Sequence, residues 1–272
     1  MVVPAQIHDR RRRSDRRRST PHPVTHDLGE ALTDGAVALL FQPQIVCADG
    51  ALHGGEALIR WQHPEHGEMA GDTIVGVAEH GGLGRRLARY AARAAIGAAS
   101  RWPVAHRLSI NVSAMDLADR TYTADLIAML EEAAFAPERL TLEITEQALV
   151  DDIDSSVASL NAFADIGIRI ALDDFGAGFC NFRYLKMLPL HALKLDRSMI
   201  EGVATDQRDL AVLRGIVAMA RALDLTVIAE GVETEAQRDM VAAEGCDIWQ
   251  GYYGSRPVPA ESFAALAARL PA

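Results

Sequence analysis

Short apolar runs recur along this chain, and each one ends in a polar or charged residue. Reading forward, these residues are Glu56, Asn111, Glu143, Asp173 with Asp174, Lys194, Glu230 with Glu233, and Gln250. From Asn111 onward, successive members of the series are separated by 20 to 36 residues. A gap of that length holds one strand, one helix and two loops, so the spacing predicts a repeating βα unit.

Alternating strands and helices call for a parallel sheet, which is either closed or flat. A closed barrel brings the strand ends to one mouth, whereas a flat doubly wound sheet spreads them along an edge. The 272 residues suit a single barrel, which needs roughly 250. We therefore predict an α/β fold, a TIM-like (β/α)8 barrel modified by an N-terminal hairpin-like strand pair.

Hydrophobic periodicity predicts the elements of this barrel. Helical spacing favours helices over residues 72–79, 85–99, 124–134, 153–165, 208–223, 235–244 and 261–270. Strands are predicted over residues 108–112, 140–144, 169–172, 192–195, 226–229 and 248–250. Ahead of them, residues 36–44 read as a strand broken by Pro43, and a second short strand leads into Glu56 after a turn at Asp49 and Gly50. These two strands are close enough in sequence to form a hairpin.

The charge of the chain is divided unevenly. Net charge is −10, but residues 1–26 carry seven arginines against two aspartates, which gives +5 there and −15 in residues 27–272. We predict a disordered Arg-rich tail over 1–26 and one folded domain over 27–272. The acidic domain argues against DNA binding by the barrel. The tail reads either as a contact for an anionic membrane surface, a nucleic acid or a protein partner, or as a solvated leader.

The three cysteines, Cys47, Cys180 and Cys246, are odd in number and widely spread. This pattern favours reduced thiols over a disulfide framework or a metal knuckle. No apolar stretch is long enough to cross a bilayer, and the Arg-rich start is not followed by the apolar segment of a signal peptide. We therefore expect a cytoplasmic protein with no transmembrane segment.

Most of the residues at the strand ends are acids. Buried like charges either raise one another's pKa values or collect cations. Oxygen donors without His or Cys suit Mg²⁺ or Mn²⁺ better than zinc or copper. The sequence therefore predicts a metal site at the mouth, although a single acid at a strand end is more often a helix cap or a surface group.

The ordered set of motifs resembles one known family. GluAlaLeuIleArgTrp at residues 56–61, followed by HisPro, is similar to the signature of EAL domains, the cyclic di-GMP phosphodiesterases. The further motifs, in family order, are AsnValSer at Asn111, GluIleThrGlu at Glu143, AspAspPheGly at Asp173, LysLeuAspArg at Lys194, AlaGluGlyValGlu at Glu230 and GlnGlyTyr at Gln250. The resemblance covers the chain from about Asp27 to the C-terminus.

The resemblance implies an enzyme that hydrolyses cyclic di-GMP to linear pGpG with two divalent cations, Mg²⁺ or Mn²⁺. By lowering this bacterial second messenger, such an enzyme favours motility over biofilm growth. The family pattern implies that one metal is held by Glu56, Asn111, Glu143 and Asp173, and the other by Asp173, Asp174 and Glu230. Lys194 would orient or help to deprotonate the attacking water.

The same resemblance implies roles for residues around the metals. Glu233 would support catalysis and Gln250 would contact metal-bound water. Contacts to the substrate would come from Gln42, Leu58, Arg60, Asp196 and Gln250. In the family, the loop at residues 173–182 links the second metal to the interface of a homodimer. This coupling would involve Glu146, Gly176, Gly178 and Cys180.

The chain departs from the family pattern in two segments. Residues 173–182 read AspAspPheGlyAlaGlyPheCysAsnPhe, where the family has AspAspPheGlyThrGlyTyrSerSerLeu. Cys180 replaces a serine that can tie this loop to Glu146, and since a thiol is a weaker donor than a hydroxyl, we expect a looser tether. Residues 69–79 lack the prolines and the Phe of the family, so we expect that helix to begin less rigidly.

Two other function classes remain open at this stage. A nonhydrolytic cyclic di-GMP receptor would keep Gln42 and Arg60 but normally loses metal ligands. A protein-binding regulator on the same fold would not need the acidic cluster. None of the ligand positions is lost in this chain, so we favour the enzyme.

Overall fold

The computed structural model describes residues 23–145, 153–178 and 182–269. Its strands form a single sheet. They are β1 (Val37–Val46), β2 (Leu52–His63), β3 (Gly67–Ala70), β4 (Arg107–Asn111), β5 (Leu140–Thr145), β6 (Arg169–Phe175), β7 (Ala192–Leu195), β8 (Thr226–Ala229), β9 (Ile248–Trp249) and β10 (Val258–Pro259).

Helices connect and surround these strands. They are α1 (Pro23–Asp34), α2 (Gly71–His80), α3 (Gly84–Ala99), α4 (Ala114–Ala118), α5 (Tyr122–Glu132), α6 (Ile153–Asp165), α7 (Tyr184–Met187), α8 (Arg197–Ile200), α9 (Gln207–Ala222), α10 (Glu235–Glu244) and α11 (Ala260–Ala267). A 3₁₀ turn at Pro137–Arg139 precedes β5. None of the described helices combines the length and apolar character needed to span a bilayer.

The sheet closes into an eight-stranded barrel, which confirms the predicted TIM-like fold. From β2 through β4, β5, β6, β7 and β8 to β9, every neighbouring pair is parallel. β1 completes the circle by pairing antiparallel with both β2 and β9. The predicted hairpin is therefore the place where the barrel departs from an all-parallel one. We call the end at the C-termini of the parallel strands the mouth and the opposite end the floor.

Strand β1 is longer than predicted, because Pro43 does not break it. Pro43 pairs with Gly55 of β2 inside a continuous ladder. On its other side, β1 pairs with β10 at Leu40 and Phe41 and with β9 at Ile45 and Val46. On this side of β1, residues 42–44 fall in the gap between the pairing with β10 and the pairing with β9. The sheet therefore does not require the N–H that Pro43 lacks.

The chain becomes helical earlier than the predicted end of the tail at residue 26. Helix α1 begins at Pro23, and Val24, Leu28 and Leu32 are buried against α2, α3 and the end of the hairpin. The arginine-rich segment that precedes this helix led to the prediction of disorder up to residue 26, although the apolar residues of α1 follow helical spacing. The predicted disorder of residues 1–22 lies outside the described residues.

All seven predicted helices are present, and Ile153–Asp165 and Glu235–Glu244 have the predicted ends. Strand β2 extends beyond Glu56 to His63. The sequence did not predict β3, β10 or the short helices α4, α7 and α8, because two to five residues are too few to show a hydrophobic period.

The apolar core of the described residues forms three clusters, one of which packs α1 against α2, α3 and the end of the hairpin. The largest cluster fills the space between the barrel wall and the helices. Inside the barrel, the middle layer is a small cluster of Ala171, Ala192, Ile228 and Ile248. This apolar layer separates the polar residues of the mouth from those of the floor.

Candidate metal centre

The strand ends bring the predicted residues together, as expected for a closed barrel. Glu56 lies on β2, Glu143 on β5, Asp173 on β6 and Lys194 on β7. In the sheet register, Asn111 pairs with Glu143 and Thr145 pairs with Asp173. The side chains of these inward positions therefore converge at the mouth.

Lys194 is at the centre of the cluster and is almost completely buried. Its Nζ lies 2.7 Å from Glu143 Oε2, 2.9 Å from Asp173 Oδ2 and 2.7 Å from Glu230 Oε1. Glu56 Oε2 is slightly farther away, at 3.6 Å. One ammonium group thus compensates four carboxylates from four strands or strand ends.

Amide groups hold Glu56 from both sides. Asn111 Nδ2 donates to Glu56 Oε1 at 2.9 Å, and Gln250 Nε2 donates to Glu56 Oε2 at 2.6 Å. The Gln250 amide also lies 3.4 Å from Gln42 Oε1 on β1. These contacts fix the orientation of one carboxylate before any ligand arrives.

Burial and neighbouring charge shift the pKa values of the cluster in opposite directions. Burial disfavours ionised Glu56, but Lys194 and the hydrogen bonds from Gln250 and Asn111 outweigh it and lower the pKa of Glu56. Burial, together with the charge of Glu56, raises the pKa of Glu143 well above its usual value. Burial also raises the pKa of Glu230 to about 8, against the opposing effect of Lys194. The site therefore holds more negative charge than one lysine can neutralise.

Lys194 itself is held in its charged form. Burial alone would lower its pKa, but Asp173, Glu143, Glu230 and Glu56 together raise the pKa well above its usual value. At neutral pH, the ammonium therefore donates hydrogen bonds and does not accept a proton.

The donor set fits a hard divalent cation. Glu56, Glu143 and Asp173 offer oxygens that all lie within 4.8 Å of one another. Glu143 Oε1 and Gln250 Oε1 are buried and have no hydrogen-bond partner among the described residues. Such oxygens need a hydrogen-bond donor or a cation, and oxygen-only donor sets suit Mg²⁺ or Mn²⁺.

Asp174 is positioned by a special backbone conformation. Its φ is +54°, a left-handed value, and its N–H donates to Asp173 Oδ1 at 2.8 Å. Burial and the charge of Asp173 raise the pKa of Asp174. The turn thus presents two consecutive acids to the same cleft.

A cleft of about 520 Å³ opens at the mouth. Ten of the predicted site residues line it: Gln42, Glu56, Leu58, Asn111, Glu143, Asp173, Asp174, Lys194, Glu230 and Gln250. The acidic cluster therefore opens onto this cleft.

Three of the predicted catalytic and substrate-contact residues lie outside this lining. Arg60 is half-buried, and its Nη1 donates to Ile59 O at 2.8 Å. Asp196 caps α8 by accepting from Ser198 N–H at 3.0 Å. Glu233 Oε1 pairs with Arg197 Nη1 at 2.9 Å. Their proposed roles remain predictions, and the last two carboxylates are engaged by local partners.

The loop residues predicted to couple the site to a homodimer are only partly described. Gly176 has φ +101°, and a Cβ there would lie 2.6 Å from Met199 Cγ, so the turn requires glycine. Gly178 has open space around it. Glu146 and Cys180 lie outside the described residues, so the tether between them remains a prediction.

The sequence did not predict the apolar side of the cleft or an additional acid there. Leu39, Val75, Leu87 and Met115 line this side, and Asp72 joins them from the first turn of α2. The sequence identified Asp72 only as the first residue of the predicted helix 72–79 and not as a residue of the site. Helix α2 begins at Gly71, and its N-cap residue Ala70 makes no side-chain hydrogen bond to the first turn. The expected looser start of this helix stays a prediction.

A model of the EAL domain matches residues 25–257, so this chain belongs to the EAL domain family. It is 38% identical over 240 residues to the cyclic di-GMP phosphodiesterase NbdA of Pseudomonas aeruginosa, covering 87% of this chain and 31% of that protein. It is 35% identical over 249 residues to the bifunctional diguanylate cyclase/cyclic di-GMP phosphodiesterase MucR of the same organism, covering 90% and 36%. The chain therefore spans about a third of the length of these relatives.

Solved structures show the same architecture. The PaMucR phosphodiesterase in complex with c-di-GMP has a TM-score of 0.82 and 35% identity, covering 88% of this chain and 98% of that one. The EAL enzyme Bd1971 with cAMP and cyclic di-GMP bound has a TM-score of 0.84 and 26% identity, covering 90% and 68%.

Proposed function

We propose that this chain is a metal-dependent phosphodiesterase that hydrolyses cyclic di-GMP to linear pGpG. The observation that carries the proposal is the buried cluster of carboxylates around Lys194 at the mouth of an EAL barrel. The names of NbdA and MucR support cyclic di-GMP as the substrate. The nucleotide-bound PaMucR structure supports the same substrate.

Two divalent cations, Mg²⁺ or Mn²⁺, would neutralise charge on the phosphoryl oxygens and would lower the pKa of water, so that hydroxide is available as the nucleophile at neutral pH. Residues of this chain would hold them in two overlapping sets, Glu56, Asn111, Glu143 and Asp173 for one, and Asp173, Asp174 and Glu230 for the other. The raised pKa values of Glu143 and Glu230 reflect a cluster that gains stability when further positive charge arrives.

The protein groups have distinct tasks in this proposal. Lys194 holds the carboxylates in position and donates hydrogen bonds to oxygen atoms at the reacting centre. Gln250 and Asn111 fix the direction of Glu56. Gln42 and Leu58 form the wall against which the substrate lies. Each of these groups is in place before substrate binds, which lowers the entropic cost of reaching the reactive geometry.

Several wider properties belong to the same proposal. We expect this hydrolysis to lower the level of the second messenger and so to favour motility over biofilm growth. A homodimer, a cytoplasmic location and an anionic or protein partner for the Arg-rich tail remain predictions from the sequence. Arg60 and Asp196 also remain predicted substrate contacts, and Glu233 a predicted catalytic group.

The test follows pGpG formation by chromatography, using purified protein, cyclic di-GMP and either Mn²⁺ or Mg²⁺. We expect metal-dependent product that disappears with a chelator. Glu56→Gln should lower turnover by more than about a hundredfold. Removing a residue that only hydrogen-bonds to a metal ligand already lowers activity or metal affinity about 10- to 100-fold. The matched control is Glu235→Gln, an exposed glutamate on α10, which should leave turnover unchanged.

Two results would count against hydrolysis. Product formed equally well by Glu56→Gln would place the chemistry elsewhere. Nucleotide binding without product, with both metals supplied, would show that the chain is a receptor.

A further inference from the structure

Four basic side chains gather at the floor of the barrel, away from the acidic mouth. Arg107 is the first residue of β4, and Arg169 is the first residue of β6. His53 lies at the start of β2, and His191 directly precedes β7. All four are half-buried, so each remains accessible to a small ion.

Strand geometry directs both arginines into the barrel. Side chains alternate along a strand, so Arg107 shares the inward face of Ser109 and Asn111. Ser109 Oγ accepts from Gln44 Nε2 of β1 at 3.5 Å, which places this face inside the barrel. By the same alternation, Arg169 lies below Ala171, a member of the inner apolar layer.

The two histidines lie next to these arginines. His53 is skipped where the register of the hairpin shifts, between the pairs Gln44–Gly54 and Ile45–Leu52. The ring of His191 rests on the start of β6, where its Nδ1 accepts from Ile170 N–H at 3.2 Å. The backbone N–H of His191 donates to Ile170 O at 2.8 Å, which fixes the position of the residue.

These groups act on one another as a cluster of like charges. Burial, followed by the charges of Arg107, Arg169 and His106, lowers the pKa of His53 to about 4. Burial and the two arginines also lower the pKa of His191, against the opposing effect of a backbone hydrogen bond with Pro189. Burial and Arg107 lower the pKa of Arg169. A guanidinium group stays charged nonetheless, so the floor keeps at least two positive charges close together.

No carboxylate of the described residues forms an ion pair with Arg107 or Arg169. Arg107 donates to the backbone oxygen of Glu138, whose carboxylate is on the exposed 3₁₀ turn. The neighbouring Asp247 accepts from Val227 N–H at 2.8 Å. This lack of compensation stands out in a domain whose net charge is −15 over residues 27–272.

We propose that the floor binds a phosphate-type dianion between the guanidinium groups of Arg107 and Arg169, with His53 and His191 as further donors. Planar guanidinium groups match the oxygens of a phosphate with paired hydrogen bonds. Neutral imidazole rings can donate one N–H each and can take up a proton when the anion arrives. Free phosphate and the phosphate of a small ester present the same chemistry.

The direct test is isothermal titration with inorganic phosphate in the presence of a chelator, against chloride at the same ionic strength. We expect saturable binding by the wild-type protein. Arg107→Gln and Arg169→Gln should each weaken it by at least about tenfold, since each removes a charge-assisted hydrogen-bond donor. The matched control is Arg208→Gln, an exposed arginine at the start of α9, which should bind as the wild type does.

A second titration identifies the source of the phosphate group. Glycerol 3-phosphate that binds as well as inorganic phosphate would support a site open to phosphate esters. Binding of inorganic phosphate alone would support a closed site for the free ion. Binding of neither ligand, or equal binding by Arg107→Gln, Arg169→Gln and the wild type, would overturn the proposal.

A measurement on the unmodified protein covers the case in which a variant does not fold. Phosphate should shift the ring ¹⁵N resonances of His53 and His191 and raise the pKa of His53 above about 4. The exposed His80 provides an internal reference, because its ring lies on α2 at the other end of the barrel. Unchanged His53 and His191 signals at saturating phosphate would overturn the floor site.

Discussion

The mouth and the floor are built on the same strands but treat charge in opposite ways. On β6, Asp173 faces the mouth and Arg169 faces the floor, four residues apart. The acids of the mouth surround Lys194, which is an internal counter-ion. The arginines of the floor have no such partner among the described residues. One strand can therefore place opposite charges at the two ends of the barrel. Among the described residues, only the charged groups of the mouth have a counter-ion within the protein.

The largest expected effect is at the mouth, where Lys194→Met removes the shared counter-ion. Breaking a buried charge network by removing one partner costs about 3–5 kcal/mol, because the remaining charges stay buried and unpaired. We therefore expect the free energy of unfolding, measured by urea denaturation with a chelator, to fall by about that amount. Adding Mn²⁺ should restore part of the loss, since a cation can replace the ammonium.

The chain contains a natural control for this variant. Lys186 is the other lysine, and it is exposed on α7. Lys186→Met should change stability by less than about 0.5 kcal/mol. Equal losses in the two variants would mean that the mouth does not depend on Lys194 for compensation.

A smaller effect is expected at the floor when the pH falls. The pKa of His53 is about 4 in the folded protein, against 6.5 for an ordinary histidine. Between these values the unfolded chain binds more protons, so stability rises with pH across this window and is lost as the pH falls from 6.5 to 4. The loss from this one group amounts to ~3 kcal/mol.

His53→Gln should remove this part of the pH dependence, as measured by urea denaturation at a series of pH values. His80→Gln, on the surface of α2, should leave the pH profile unchanged. A profile that stays as steep in His53→Gln as in the wild type would show that acid sensitivity arises elsewhere.

The smallest expected effect concerns the influence of the Arg169 charge on the pKa of His53 at the floor. Arg169→Gln removes one of the positive charges that hold down the pKa of His53. At an effective dielectric constant of about 20, we expect that pKa to rise by roughly half a unit to one unit. An NMR titration of the His53 ring measures it. An unchanged pKa would mean that Arg169 and His53 do not share one site, which would also weaken the case for phosphate binding.

The sequence predicted the barrel and most of the site because both rest on local patterns. Helical spacing marks each helix, and in a closed barrel every strand-end residue reaches the same mouth. Glu56 and Gln250 are far apart in the chain, yet their positions at strand ends are enough to predict that they meet. The pairing of one lysine with four carboxylates could not be predicted, because it depends on side-chain directions across several strands.

Local capping explains where the strand-end argument was incomplete. Asp196 and Glu233 also follow strands, but Ser198 and Arg197 engage their carboxylates close by. At the floor, residues were overlooked that the same pattern indicates. Side-chain alternation along β6 places Arg169 on the same inward face as Asp173. The residues at the starts of the strands were readable in the sequence, but no family motif drew attention to them.

The antiparallel strand β1 also determines at which ends of the barrel the flanking helices α1 and α11 lie. Because β1 runs from the mouth to the floor, α1 lies at the mouth, where Asp27 meets His63 at the end of β2. Helix α11 ends at the other pole, where Ala267 O lies 3.0 Å from His106 Nε2. The two helices that flank the barrel strands in sequence therefore lie at opposite ends of the barrel axis, and β1, which carries Gln42, connects these ends.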